Sequence, residues 1–141
     1  MSRVFWDTNL FIYLLEDYGP HSEGVAGLLA KMETRGDELL TSAITLGEVL
    51  VQPCLRGEMD RCRGYEAAIQ ATARILPFDA AASLHYARIR SQPRKISPPD
   101  AIQLACAATA GVDLFLTNDA RLHEVHVDGI HFITSVERAP L

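Results

Sequence analysis

The 141-residue sequence predicts an α/β fold with a mostly parallel central sheet. Two patterns carry that expectation. Short apolar stretches, at residues 3–6 and 113–117 most clearly, alternate with longer segments whose apolar residues recur at helical spacing. In addition, Asp7 and the pair Asn118-Asp119 directly follow two of those stretches, where parallel sheets present ligand-binding groups. The length suits one domain spanning 1–141.

The elements follow in order. Arg3-Val4-Phe5-Trp6 reads as a buried strand ending at Asp7, and Thr8 or Asn9 is placed to cap a helix over 10–15. Gly19-Pro20 breaks it. Val25, Leu28, Leu29 and Met32 then predict a helix from Ser22 that stops at Gly36. Residues 38–41 form a second strand, with Ser42 capping a helix that carries Leu46, Val49 and Leu50. A fourth helix covers 59–73 and a strand 74–78. Asp79 caps a helix reaching Arg90. Ser97-Pro98-Pro99-Asp100 combines a cap, first-turn prolines and an acid at the positive end of the helix dipole. The small apolar helix it opens, 101–110, ends at Gly111. Strands at 113–117 and 130–133 complete the chain.

Composition narrows the function. Hydrophobic residues make up 48% and charged residues 22%, as expected of a globular protein rather than a disordered or fibrous one. Cys54, Cys62 and Cys106 form no metal-type pair and no disulfide framework. No apolar run is long enough to span a bilayer, and Asp7 interrupts the one near the N-terminus that resembles a signal peptide, so a cytoplasmic protein is expected. The net charge of −5 argues against nucleic-acid binding by bulk charge alone. However, 11 of the 13 basic residues are arginines. They cluster as Arg56, Arg61 and Arg63, and as Arg88, Arg90 and Arg94 with Lys95, a composition suited to phosphate contacts.

Four acids stand where solubility does not require them: Asp7 after the first strand, Glu48 inside an apolar helix, Asp100 at the start of another, and Asp119 after Leu114-Phe115-Leu116. Each could serve alone as a cap, a turn former or a dipole-compensating charge. Four isolated carboxylates in buried elements would be costly, and gathering them around divalent cations relieves that cost.

The order Asp7-Thr8-Asn9, Thr45-x-x-Glu48, Pro99-Asp100-Ala101 and Leu116-Thr117-Asn118-Asp119 resembles the PIN-domain family, and within it the small VapC-type toxins of type II toxin–antitoxin pairs. The resemblance runs from Arg3 to about Ile133. It implies a three-layer α/β/α fold and a divalent-metal-dependent endoribonuclease. Asp7, Glu48, Asp100 and Asp119 would be the catalytic acids that hold Mg²⁺ or Mn²⁺, supported by Thr8, Asn9, Thr117 and Asn118. It further implies RNA as substrate, an antitoxin as protein partner, and a homodimer. A bound metal makes water nucleophilic near neutral pH, and RNA cut that way carries a 5′-phosphate. Two departures stand out: many relatives have a glycine before the third acid, replaced here by 93–99, and some have another carboxylate after the fourth, where this chain has Ala120 and Arg121. The second departure favours one cation over two.

Arg94 and Lys95, just before Asp100, are the candidate RNA contacts. Tyr13 and Tyr18 are open as base-stacking residues, whereas Trp6 belongs to the core. His123 and His126 lack zincin spacing and are expected at the surface. Two rival readings are weaker. An aspartyl phosphoryl-transfer enzyme needs a second Asp where Asn9 stands, or a lysine after a late strand. A catalytically inert PIN-like binding module would not need all four acids.

Overall fold

A computed structural model describes residues 1–141. Its centre is a sheet of five strands: β1 (Arg3–Trp6), β2 (Glu38–Ser42), β3 (Arg74–Leu76), β4 (Val112–Leu116) and β5 (Ile130–Thr134). They lie in the order β3-β2-β1-β4-β5, and every pairing is parallel. The mostly parallel sheet expected from sequence is therefore wholly parallel. Parallel strands need crossover connections, which explains the helix-rich intervals between them. Six helices supply the first three crossovers: α1 (Thr8–Leu15), α2 (Pro20–Arg35), α3 (Ala43–Leu55), α4 (Met59–Thr72), α5 (Ala80–Arg90) and α6 (Pro98–Ala110); the link from β4 to β5 holds only a 3₁₀ turn.

Helices cover both faces, giving the three-layer α/β/α sandwich that the sequence resemblance implies. Alternation along the strands assigns the faces. Val4 and Trp6 of β1 face α1 to α4 and pack with Leu10, Phe11, Val25, Met32 and Ile69. Phe5 faces the other way and joins Leu40, Phe115, Leu104 and Ile89 beneath α5 and α6. Phe5 and Phe115 are register partners on adjacent strands, and their rings stack with centroids 4.9 Å apart. The alanines of α6 let that helix approach the sheet closely; Ala101, Ala105 and Ala107 are fully buried. Its Cys106 is buried too, which pushes the thiol up to about 11.

Helix ends depart from expectation in an informative way. Asp7, rather than Thr8 or Asn9, is the N-cap of α1. Asp79 caps α5 as expected, accepting from Ala82 N at 3.0 Å. Ser42 and Ser97 occupy the N-cap positions of α3 and α6, yet neither side chain makes a capping hydrogen bond. Each hydroxyl is engaged by another side chain, Ser42 by buried Gln103 and Ser97 by Asp100 at the surface. Cys54 and Cys62 place their sulfurs 3.4 Å apart where α3 meets α4. No helix is long and apolar enough to cross a membrane.

Candidate active site at the carboxyl edge of the sheet

Strand order reverses at β1, which has β2 on one side and β4 on the other. A crevice opens at such a point beyond the carboxyl ends of the strands. Trp6 and Leu116 are register partners, so the chain delivers Asp7 and Thr117 side by side at that edge.

Asp7 is buried, at 8% exposure, and densely hydrogen-bonded. Its Oδ1 accepts from Thr8 N at 2.8 Å and from Gln103 Nε2 at 3.3 Å, while Oδ2 accepts from Thr117 Oγ1 at 2.7 Å. Burial pushes its carboxyl above the ordinary value; the bonds from Thr117 and Thr8 oppose that, and the charges of Asp100 and Glu48 add to it. Glu48, on α3, accepts from Thr8 Oγ1 at 2.6 Å. Asp100, in the first turn of α6, accepts from Ser97 Oγ at 2.9 Å. Asp119 caps the short 3₁₀ turn Ala120–Leu122. Arg121 grips it with both arms of the guanidinium, Nε to Oδ1 at 3.0 Å and Nη2 to Oδ2 at 2.7 Å. Those bonds hold the Asp119 carboxyl below the usual range.

All four acids line one open cavity of about 450 Å³, together with Thr8, Asn9 and Gln103. No lysine or arginine lines it. As the side chains stand, no three acids, histidines or cysteines are drawn tightly enough together to hold an ion. Their chemistry nevertheless fits a divalent cation: the donors are hard carboxylate oxygens, and three of them repel one another across a partly buried space. A cation there would offset both the repulsion and the desolvation of Asp7.

The expected supporting residues divide. Thr8 links Asp7 to Glu48, and Thr117 bridges Asp7 and Asp119, accepting from Asp119 N at 3.0 Å. Asn9 lines the cavity without a hydrogen-bond partner there. Asn118 lies outside the cavity and donates to the Tyr13 hydroxyl at 2.9 Å. Tyr13 itself stacks on His21 and meets Tyr18 edge-on. Arg94 and Lys95 line a second, larger cavity that shares Asp100 with the first. Arg56 and Arg61 pair with Glu58, and Arg63 with Asp60, outside both cavities.

The PIN-domain family profile matches residues 4–127, nearly the whole of this architecture including all four acids. The chain belongs to the PIN-domain family. No curated protein sequence matches it. Several solved structures are similar in fold. VapBC2 from Rickettsia felis, bound to a promoter DNA fragment, aligns with a TM-score of 0.76 at 13% identity, over 94% of this chain and 98% of that one. DNA-bound VapBC from Salmonella typhimurium aligns at 0.71 and 20% identity, over 96% and 99%. VapC20 from Mycobacterium tuberculosis, a toxin that cleaves the sarcin-ricin loop, aligns at 0.62 and 18% identity, over 79% and 86%. At these identities the likeness is one of fold.

Within the PIN frame, the structure adds residues that sequence reasoning passed over. Gln103, 2% exposed on α6, is the hub. Its Nε2 donates to Thr45 Oγ1 at 2.6 Å and Thr8 Oγ1 at 3.1 Å, besides Asp7, and its Oε1 accepts from Ser42. One amide thus ties β2, α3 and α1 to the helix that carries Asp100. The one available signal was a glutamine among the apolar residues 101–108. His123, expected at the surface, is half-buried and donates from Nε2 to the Thr117 carbonyl at 3.0 Å, bracing the strand end that holds Asp119.

Proposed function

We propose that the chain is a divalent-metal-dependent endoribonuclease acting as the toxin of a toxin–antitoxin pair. The observation that carries this reading is the convergence of Asp7, Glu48, Asp100 and Asp119 on one cavity at the switch point of a PIN sheet. The acids would hold Mg²⁺ or Mn²⁺, which when bound polarises the scissile phosphate and makes an attacking water more acidic. The chain's own residues prepare that chemistry. Thr8 orients Glu48 and Thr117 orients Asp7, so neither carboxylate has to be fixed in place as the cation arrives. Water attacks phosphorus and the bond to the 3′-oxygen breaks, leaving a 5′-phosphate and a 3′-hydroxyl. Arg94 and Lys95 are the residues that meet the RNA backbone.

The partner reading draws on the neighbours, several of which are VapBC toxin–antitoxin complexes. Exposed Val51, Leu55 and Met59 run from the cavity rim along α3 to α4, an apolar stripe suited to an antitoxin segment laid across the mouth. A cytoplasmic homodimer paired with its antitoxin completes the reading. An aspartyl-phosphate mechanism is disfavoured, because no cationic side chain lines the cavity beside Asp7.

The test is cleavage of RNA by the purified chain with Mg²⁺ or Mn²⁺, followed by analysis of the new ends. Cutting that stops with EDTA and leaves 5′-phosphates supports the reading. Cyclic 2′,3′-phosphate ends, or cutting indifferent to EDTA, would refute it.

A further inference from the structure

Beside the acid cavity lies a second one of about 730 Å³ between the loop preceding α6 and the 3₁₀ turn after β4. Its wall carries Arg90, Arg94, Lys95 and Arg121 against a single acid, Asp100, which both cavities share. Four cations to one anion is a sharp inversion in a protein of net charge −5. The cations are not equally committed. Arg94 spans to Glu124 at 3.3 Å and to the Arg121 carbonyl at 3.2 Å, fixing the loop against the turn. Lys95 makes no ion pair, and Arg90 makes none beyond lying 6.0 Å over the Tyr86 ring.

Arg121 stands at the junction. Its guanidinium occupies both oxygens of Asp119, an acid of the small cavity, while its own side chain lines the large one and is 85% exposed. A divalent cation on Asp119 would draw on the same two oxygens and set its charge directly against the guanidinium, so the two compete for that carboxylate. An exposed ion pair is weak, so a divalent cation among the carboxylates can displace the guanidinium at small cost. Once released, the side chain lies beside two uncommitted cations in a cavity of phosphate-binding character, and a fork-shaped guanidinium is suited to phosphate oxygens.

We propose that the larger cavity is a phosphate-binding subsite for the RNA strand next to the scissile bond, and that Arg121 is its mobile element, surrendered by Asp119 when a divalent cation binds. This rests on the ribonuclease reading and adds to it an order of events. The cation arms the acid site and the phosphate clamp in one exchange, so RNA binding and cation binding reinforce each other. Lys95, Arg94 and Arg90 form the standing part of the clamp, and Arg94 also holds its loop against the turn.

Three measurements on the full chain test it. First, the Arg121 Nε–H signal in nitrogen-15 NMR should shift, and exchange faster with water, as Mg²⁺ saturates the protein. Second, R121Q should bind Mn²⁺ about two- to fivefold more tightly in calorimetry, the scale of one exposed ion pair. Third, with Ca²⁺ as a non-cleaving cation, R121Q and K95A should each bind single-stranded RNA more weakly. Each should flatten the salt slope by about 0.7, the effect of one lost contact. K95A should leave Mn²⁺ affinity unchanged. If Mg²⁺ binds with the Arg121 signal unmoved, the exchange is overturned. If both variants keep the wild-type salt slope while the wild type binds RNA and cuts it, the subsite is overturned and the ribonuclease reading stands. If the wild type binds Mn²⁺ but no RNA, both fall together.

Discussion

Thr8 Oγ1 donates to Glu48 Oε1 across 2.6 Å, joining the first residue of α1 to the middle of α3. The bond orients the one acid of the cavity that does not sit at the end of a strand or helix. Without it, Glu48 is a flexible side chain at the mouth. T8V keeps the volume and removes the donor, so RNA cleavage should fall about tenfold, matching roughly 1.5 kcal/mol for a hydrogen bond to a charged group. The variant should stay folded, with an unaltered circular dichroism spectrum and an unchanged KM. A fall in kcat that is absent, or matched by unfolding, would show that Thr8 does not act through Glu48.

Gln103 is expected to matter for both stability and rate. Q103M keeps the shape of the side chain but leaves Thr45, Thr8 and Ser42 without their shared partner in a buried setting. The expected loss is about 1–3 kcal/mol in urea unfolding, for polar groups left unsatisfied. Activity should drop further than the folded fraction does, because the amide also contacts Asp7.

Much of the site was legible in the sequence, and the remainder was hidden for physical reasons. Asp7 and Asp119 stood out because an apolar strand ends abruptly in an acid, and alternation of elements places such ends together. Gln103 left no periodic trace: its partners Thr8 and Ser42 lie 95 and 61 residues away in the chain, so only the tertiary fold connects them. Ser42 and Ser97 were read as side-chain caps because capping is a local preference. Here a distant amide and a nearby carboxylate compete for each hydroxyl and win. Arg121 appeared only as a missing carboxylate, since its grip on Asp119 depends on the 3₁₀ turn, which the sequence did not announce. The apolar alternation that fixed the layers was plain throughout, from Val4, Phe5 and Trp6 onward.

Asp7 is held in place at a cost to stability. Burial and the neighbouring charges of Asp100 and Glu48 raise its carboxyl, so its ionised form destabilises the cation-free fold. D7N should therefore melt at a higher temperature than the wild type without divalent cations near neutral pH. Adding Mn²⁺ should raise the wild-type melting temperature and leave D7N nearly unmoved. Differential scanning fluorimetry checks both halves; a D7N protein that melts lower, or still responds fully to Mn²⁺, contradicts the assignment.

Asp37 makes the opposite prediction, away from the site. Burial works against its charge. The bonds from Arg35 at 2.8 Å and Ser2 N at 2.6 Å outweigh that burial and hold the carboxyl below its ordinary value. A depressed carboxylate stabilises the fold above its unfolded pKa of about 3.9, and that contribution disappears as pH falls through the folded value. D37N should thus be less stable than wild type at neutral pH, and the gap should close in acid. A gap independent of pH would assign the effect to packing instead.

The central claim is that four carboxylates act as one cation-dependent centre that cuts RNA. The measurement that tests it most directly is the Mg²⁺-dependent cleavage rate of D7N, E48Q, D100N and D119N, each compared with wild type on the same RNA. Each substitution removes a charge and little volume, so each protein should remain folded while its rate falls by orders of magnitude. The result that would contradict the account is a folded variant of Asp7, Glu48, Asp100 or Asp119 that cuts at the wild-type rate.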